Sequence, residues 1–196
     1  VAGTEVFEDC EVIANDKTAQ ALRDNQSAFA KSSPPIDPVI LPCKVFDGVM
    51  KLTVGDIDVE LRPLDVHSFD GLTLYLPKTR LLFAGDTLED TVTYLAEPDR
   101  LEVHLAELDR LSTWDVQRIL PNHGAAEKIA GGGYDTSLID ATSSYLKRLL
   151  RCRNEPDLAQ LALSEFIAEE LDNGSVTYFE PYEDVHAQNV RAVLAL

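Results

Sequence analysis

The sequence predicts an α/β domain, and three observations carry that expectation. Short apolar runs of strand length, at residues 57–64, 72–76, 81–84 and 116–120, each stop at turn-forming residues. Apolar residues recur at helical spacing over residues 100–112 and 137–152. Finally, 45% hydrophobic residues in a chain of 196 suit one globular domain with a real core, or one domain plus a small appendage.

The elements follow in order. Residues 11–14 form a short extended stretch, with Val12 and Ile13 as its apolar pair. Asn15 or Asp16 can cap a helix over residues 17–30. Ser32, Ser33, Pro34, Pro35 and Pro38 then make a loop or flap. Residues 49–54 and 57–64 read as two strands joined by the hairpin signal Gly55-Asp56. Residues 72–76 form a strand, Pro77, Lys78 and Thr79 a turn, and residues 81–84 a compact strand ended by Gly85-Asp86. In the helix over residues 100–112, Leu101, Leu105, Leu108 and Leu111 share a face. A buried strand over residues 116–120 is closed by Pro121, and Gly131-Gly132-Gly133 marks a loop. The next helix, residues 137–152, has Leu138, Ala141, Tyr145 and Leu149 on its apolar side. Residues 157–171 and 185–196 read as helices around an Asn173-Gly174 turn. The expected division is a domain over residues 1–153 and a helical appendage over residues 154–196, with no internal repeat.

Composition excludes several classes. A net charge of −17 repels phosphate backbones, so nucleic acid is not an expected partner. No apolar run approaches the roughly 20 residues that span a bilayer, so none is expected with a membrane. Three well-separated cysteines, Cys10, Cys43 and Cys152, form no C-x-x-C pair. A reducing cytoplasm is their simplest setting, although an N-terminus that began further upstream could have carried a secretion signal.

Chemistry concentrates where strands end. His67 follows the strand over residues 57–64, Asp86 follows residues 81–84, and His123 follows residues 116–120 through Pro121 and Asn122. Loops at a shared sheet edge often build sites, and imidazole with carboxylate suits zinc, iron or manganese. Each residue alone reads more readily as a structural histidine or a turn aspartate. Tyr94 and Glu97, on the loop after Asp86, are weaker candidates for the substrate pocket. His104 reads as helix packing. Lys147, Arg148, Arg151 and Arg153 form a basic cluster that pairs with acidic neighbours or binds an anion.

The strings Val66-His67-Ser68-Phe69-Asp70-Gly71, Leu81-Leu82-Phe83-Ala84-Gly85-Asp86-Thr87 and Leu120-Pro121-Asn122-His123-Gly124, in this order, resemble the metallo-β-lactamase superfamily. Asn122 stands where the family's closing P-G-H-G has its first glycine. The resemblance spans about residues 11–151 and implies an αββα sandwich, of which this chain would hold the C-terminal half and part of the N-terminal half. It implies that His67 binds one metal, that Asp86 bridges two as the key catalytic carboxylate, and that His123 binds the second. The cofactor would be two zinc ions, or iron or manganese. The activity would be hydrolysis by a metal-bound hydroxide of a small-molecule ester, thioester, lactone or lactam-like substrate.

The family's H-x-H-x-D-H signature has no counterpart, and His67 is the first histidine. The chain therefore reads as starting just after that segment, which would supply further ligands and the N-terminal sheet, so that the chain as given would lack half of the metal site. The strands over residues 81–84 and 116–120 are apolar on both faces, so one face should need that sheet, or a second copy in a homo-oligomer, to cover it. The alternative reading is a non-catalytic remnant or binding module that pairs with a partner.

Overall fold

The computed structural model describes residues 3–7 and 9–196. They form two compact units, residues up to Met50 and Lys51–Leu196.

In the first unit, strand β1 (Ile13–Asn15) pairs in parallel with β2 (Lys44–Phe46). Helix α1 (Asp16–Asp24) starts at Asn15, whose side-chain oxygen accepts from Thr18 N at 2.7 Å. The single helix expected over residues 17–30 is interrupted. Asn25 turns both its backbone N–H and its side-chain amide onto the Ala21 carbonyl, ending α1, and α2 (Gln26–Phe29) follows. The proline-rich stretch carries no regular element. Strand β2 has no signal in the sequence, because Lys44-Val45-Phe46 is too short to show a period.

The second unit is built on a five-stranded sheet in the order β3-β4-β5-β6-β7. These strands are β3 (Met50–Val54), β4 (Ile57–Pro63), β5 (Leu72–Leu76), β6 (Leu81–Gly85) and β7 (Arg118–Pro121). Strand β5 runs antiparallel to both β4 and β6, and β7 runs parallel to β6. Strands β4, β6 and β7 therefore all point the same way. The β6–β7 connection crosses over through α3 (Leu101–Ser112), as a parallel pair requires.

The sheet has two unlike faces. Tyr75, Leu82, Ala84 and Ile119 point inward and are buried. On the other face Leu74, Leu81 and Leu120 are only half-buried, and Phe83 is 41% exposed. The inward face packs against one apolar cluster, including Leu108 and Leu111 of α3 and, after the short helix α4 (Ala126–Ala130), Leu146 and Leu149 of α5 (Ser137–Arg151). Helix α8 (Tyr182–Leu194) adds Val190 and Val193 to the same cluster. The helix expected over residues 157–171 is instead a 3-10 turn followed by two short helices, α6 (Leu163–Phe166) and α7 (Ala168–Asp172). At the break, Arg148 takes the Phe166 carbonyl at 2.8 Å while its guanidinium grips the Glu170 carboxylate at 2.6 and 2.8 Å. Two members of the basic cluster thus pair with acidic neighbours, Arg148 here and Arg151 with Glu155. The architecture is α/β, a sheet flanked by helices and closed by a C-terminal helix, consistent with the αββα sandwich. Cys10, Cys43 and Cys152 are free thiols. Among the described residues no helix is long and apolar enough to cross a membrane.

Candidate functional site

Strand polarity decides where the predicted residues fall. Because β4, β6 and β7 share one direction, the segments just past their C-terminal ends lie along one edge of the sheet, with β5 between β4 and β6. Asp86 and His123 come together there, whereas His67 does not join them within 4.8 Å. His67 lies four residues beyond β4, Asp86 directly follows β6, and His123 lies two residues beyond β7.

Local backbone geometry aims these side chains. His67 has a φ of 69°, a left-handed conformation uncommon for a residue with a Cβ. Its Nδ1 lies 3.0 Å from the Tyr94 carbonyl. In the tautomer whose Nδ1–H donates there, Nε2 keeps its lone pair, the arrangement usual for metal-binding histidines. Gly85 takes a φ of 59°, which turns the chain at the end of β6 so that Asp86 leaves the sheet. Asn122 then bridges the two strand ends. Its N–H donates to Gly85 O at 2.9 Å and its side-chain amide to Asp86 Oδ1 at 3.1 Å. His123 Nε2 comes within 3.5 Å of the same Oδ1. His123 and Asp86 are both open to solvent, with side chains 58% and 42% exposed. Asn122, read from the sequence as a minor departure from a glycine, is the residue that positions the aspartate.

A second layer lies beyond what the sequence predicts. Glu89 is buried beneath this edge, accepting from Tyr182 Oη at 3.1 Å. Burial pushes its carboxyl above the ordinary range, while the Tyr182 bond and the nearness of His123 and His67 pull it back. Glu89 thus lies within electrostatic reach of both histidines. Asp90, also buried, accepts from Tyr134 Oη at 2.7 Å and from Thr177 N at 2.6 Å. Tyr134 Oη in turn accepts from Ala125 N at 2.8 Å. A Cβ at Gly124 would fall 2.7 Å from that hydroxyl oxygen, so the approach needs glycine here. Asn189 of α8 holds the same loop, donating to Thr93 O at 2.8 Å and accepting from Leu95 N at 2.9 Å. The sequence clue to this layer is the polar Asn189 on the apolar face of a helix.

Of the weaker candidates, Tyr94 contributes its carbonyl to His67, and its side chain is partly exposed. Glu97 sits in another cluster, with Asp65, Arg100 and His104. The Arg100 guanidinium pairs with Asp65 and lies 3.1 Å from Glu97. His104, on α3 and 1% exposed, has Nε2 3.9 Å from a carboxylate oxygen of each, and the ligand atoms of Asp65, Glu97 and His104 lie within 4.8 Å of one another. Burial pushes the His104 imidazole below its ordinary value, partly opposed by Asp65.

No protein-family model matches the sequence, and no curated protein matches it. Solved structures do resemble the fold. A metallo-beta-lactamase family protein from Thermus thermophilus aligns at a TM-score of 0.59 and 16% identity, covering 95% of this chain and 66% of its own. A metallo-beta-lactamase from Pontibacter korlensis aligns at 0.57 and 21% identity, covering 74% of this chain and 62% of its own. The DIM-1 metallo-beta-lactamase, in a crystal exposed to ceftazidime, aligns at 0.53 and 21% identity, covering 74% and 61%. The chain spans less than two thirds of the length of these structures. Strand order, strand-end placement and these likenesses agree: this chain has the metallo-β-lactamase fold.

Proposed function

We propose that this chain is a metal-dependent hydrolase, with His67, Asp86 and His123 as ligands for zinc. Iron or manganese would suit the same donors. The observation that supports this best is the meeting of Asp86 and His123, 3.5 Å apart across the ends of two parallel strands. The donor set fits the metal: one carboxylate fixed by Asn122, one imidazole beside it, and a second imidazole whose other nitrogen is already committed to a carbonyl. A bound zinc would supply an acidified water and polarise a carbonyl oxygen. The protein's own part is to hold the carboxylate and imidazoles at the open sheet edge. Asp86 is the carboxylate on which activity should depend most. The substrate would be a small ester, thioester, lactone or lactam-like molecule. A net charge of −17 argues against nucleic acid.

The test is zinc titration by calorimetry on the wild type and on Asp86→Ala, alongside ester hydrolysis before and after chelation. We expect Asp86→Ala to weaken zinc binding by about 100-fold and to abolish most hydrolysis, with the circular dichroism unchanged. Equal zinc affinity in the two proteins would overturn the assignment, and the chain would then be better described as a binding module.

A further inference from the structure

Beside His123 lies a cavity of about 450 Å³, within the range of about 300–1,000 Å³ that holds small molecules. One wall is the loop after β7, with Gly124, Ala125 and Ala126. The other is the segment before and into α8, with Tyr178, Phe179 and Tyr182. The two walls lie far apart in sequence and are joined by Asp90, which takes the Thr177 N–H on one side and the Tyr134 hydroxyl on the other.

The lining has a definite chemical bias. Phe179 and Tyr182 form a tilted pair, with ring centroids 6.0 Å apart at 54°. Phe179 is nevertheless 57% exposed, and Tyr178 42%. Aromatic faces are left open in a concave site that begins at a candidate metal ligand. Among the described residues no lysine or arginine lines the cavity. The nearby cation Lys128 is engaged elsewhere, donating to Gly174 O at 2.9 Å and lying over the Tyr134 ring. The carboxylate in the lining is Asp90, with Asp86 and Glu89 nearby in the chain. A carboxylate or phosphate entering this space would lose water, meet no lysine or arginine, and find the one lining imidazole, His123, already 3.5 Å from Asp86 Oδ1. A neutral ring would instead bury apolar area against the exposed rings of Tyr178 and Phe179.

We infer that this cavity is the subsite for an uncharged aromatic substituent of the substrate, so that the preferred substrates are neutral aryl esters, thioesters or amides rather than carboxylate-bearing ones. The inference rests on the hydrolase reading for the word substrate, but the binding it predicts needs no metal.

The test is an NMR titration of the full chain, metal-free in the presence of a chelator, with phenylacetamide and phenylacetate. The probes share a ring and differ in charge. We expect phenylacetamide to shift the Ala125, Ala126 and Phe179 signals saturably, and phenylacetate to bind about tenfold more weakly. Phe179→Ala, at an exposed position where the fold should survive, should weaken phenylacetamide about fivefold. Ala126→Phe, which fills the space from the other wall, should block it. Absence of saturable shifts, phenylacetate binding as tight as phenylacetamide, or indifference to both substitutions would each overturn the subsite. Because zinc is excluded, the outcome is independent of the zinc titration. Zinc binding without probe binding would sink the subsite alone, and the converse would sink the hydrolase reading alone.

Discussion

Two groups of residues in this molecule have nearly the same chemical make-up and opposite surroundings. At the sheet edge, His67, Asp86 and His123 project from strand ends, and the His123 and Asp86 side chains are 58% and 42% exposed. Behind them, Asp65, Glu97 and His104 gather round Arg100, with His104 1% exposed. Among the described residues the second group alone has all its ligand atoms within 4.8 Å of one another; those of His67, Asp86 and His123 are more widely spread. Yet it already contains a cation, the guanidinium, which answers its carboxylates and would repel a metal ion. The first group lacks a lysine or arginine partner among the described contacts and opens toward a cavity. Residue type and spacing do not separate the two; the presence of an internal counter-charge does.

Substitutions can break this comparison. The largest expected effect is on metal affinity. His123→Ala should weaken zinc binding by about 100-fold while shifting the unfolding free energy by less than about 0.5 kcal/mol, because the ring is mostly in solvent. His104→Ala should do the reverse, costing about 2–3 kcal/mol of stability in denaturant titrations and leaving zinc affinity unchanged. Loss of zinc affinity in His104→Ala would move the metal to the inner cluster.

Arg100→Ala tests the counter-charge directly. Removing one partner of a fully buried pair costs about 3–5 kcal/mol, and here about 2 kcal/mol is expected because Arg100 is 34% exposed and water can reach the carboxylates left behind. The same variant should bind zinc more tightly at the inner cluster than the wild type does. If stability does not change, the guanidinium is not what holds Asp65 and Glu97 in place.

The smallest effect is on pH dependence. Burial keeps His104 below its ordinary value in the fold, whereas in the unfolded chain it takes up a proton near about pH 6.5. The unfolded state therefore binds more protons in mild acid. The stability contributed by neutral His104 is complete above about pH 6.5 and is lost as the pH falls toward its folded value. The stability difference between wild type and His104→Ala should accordingly shrink between about pH 7.5 and about pH 5 in parallel denaturant titrations. A difference that widens on acidification would mean that Asp65 and Glu97 hold the imidazolium in the fold.

What could be read from the sequence, and what could not, follows the range of the interactions. Strands β4 to β7 are legible because glycine and proline punctuate short apolar runs, and their ends carry His67, Asp86 and His123 with them. The break between Phe166 and Ala168 is not, since Arg148, distant in sequence, claims the carbonyl that would have continued the helix. That one face of β6 and β7 would lack a helical cover is legible, because both strands are apolar on both sides, but which residue points to which side is not. Leu82 and Phe83 are equally apolar in the sequence, but the first is buried and the second is 41% exposed. Nothing in the sequence sets Glu89 and Asp90 apart from the chain's other acidic residues. They are buried because Tyr182, Tyr134 and Thr177 satisfy them, and no local pattern announces partners so far along the chain.

That separation has a consequence for how the molecule is made. Strands β4 to β7 leave the ribosome well before α8 exists, and domains begin to fold during synthesis at about 5–20 residues per second. The loop that carries Glu89 and Asp90 must wait for Thr177, Tyr182 and Asn189 before its buried carboxylates and backbone groups find their partners. Until then the nascent sheet edge holds two acidic side chains that water alone can satisfy, so they should remain outside, and the cavity beside His123 cannot exist. Translation arrested just before Thr177 should leave a chain with most of its strands and an open, protease-sensitive loop where the finished protein has its candidate site.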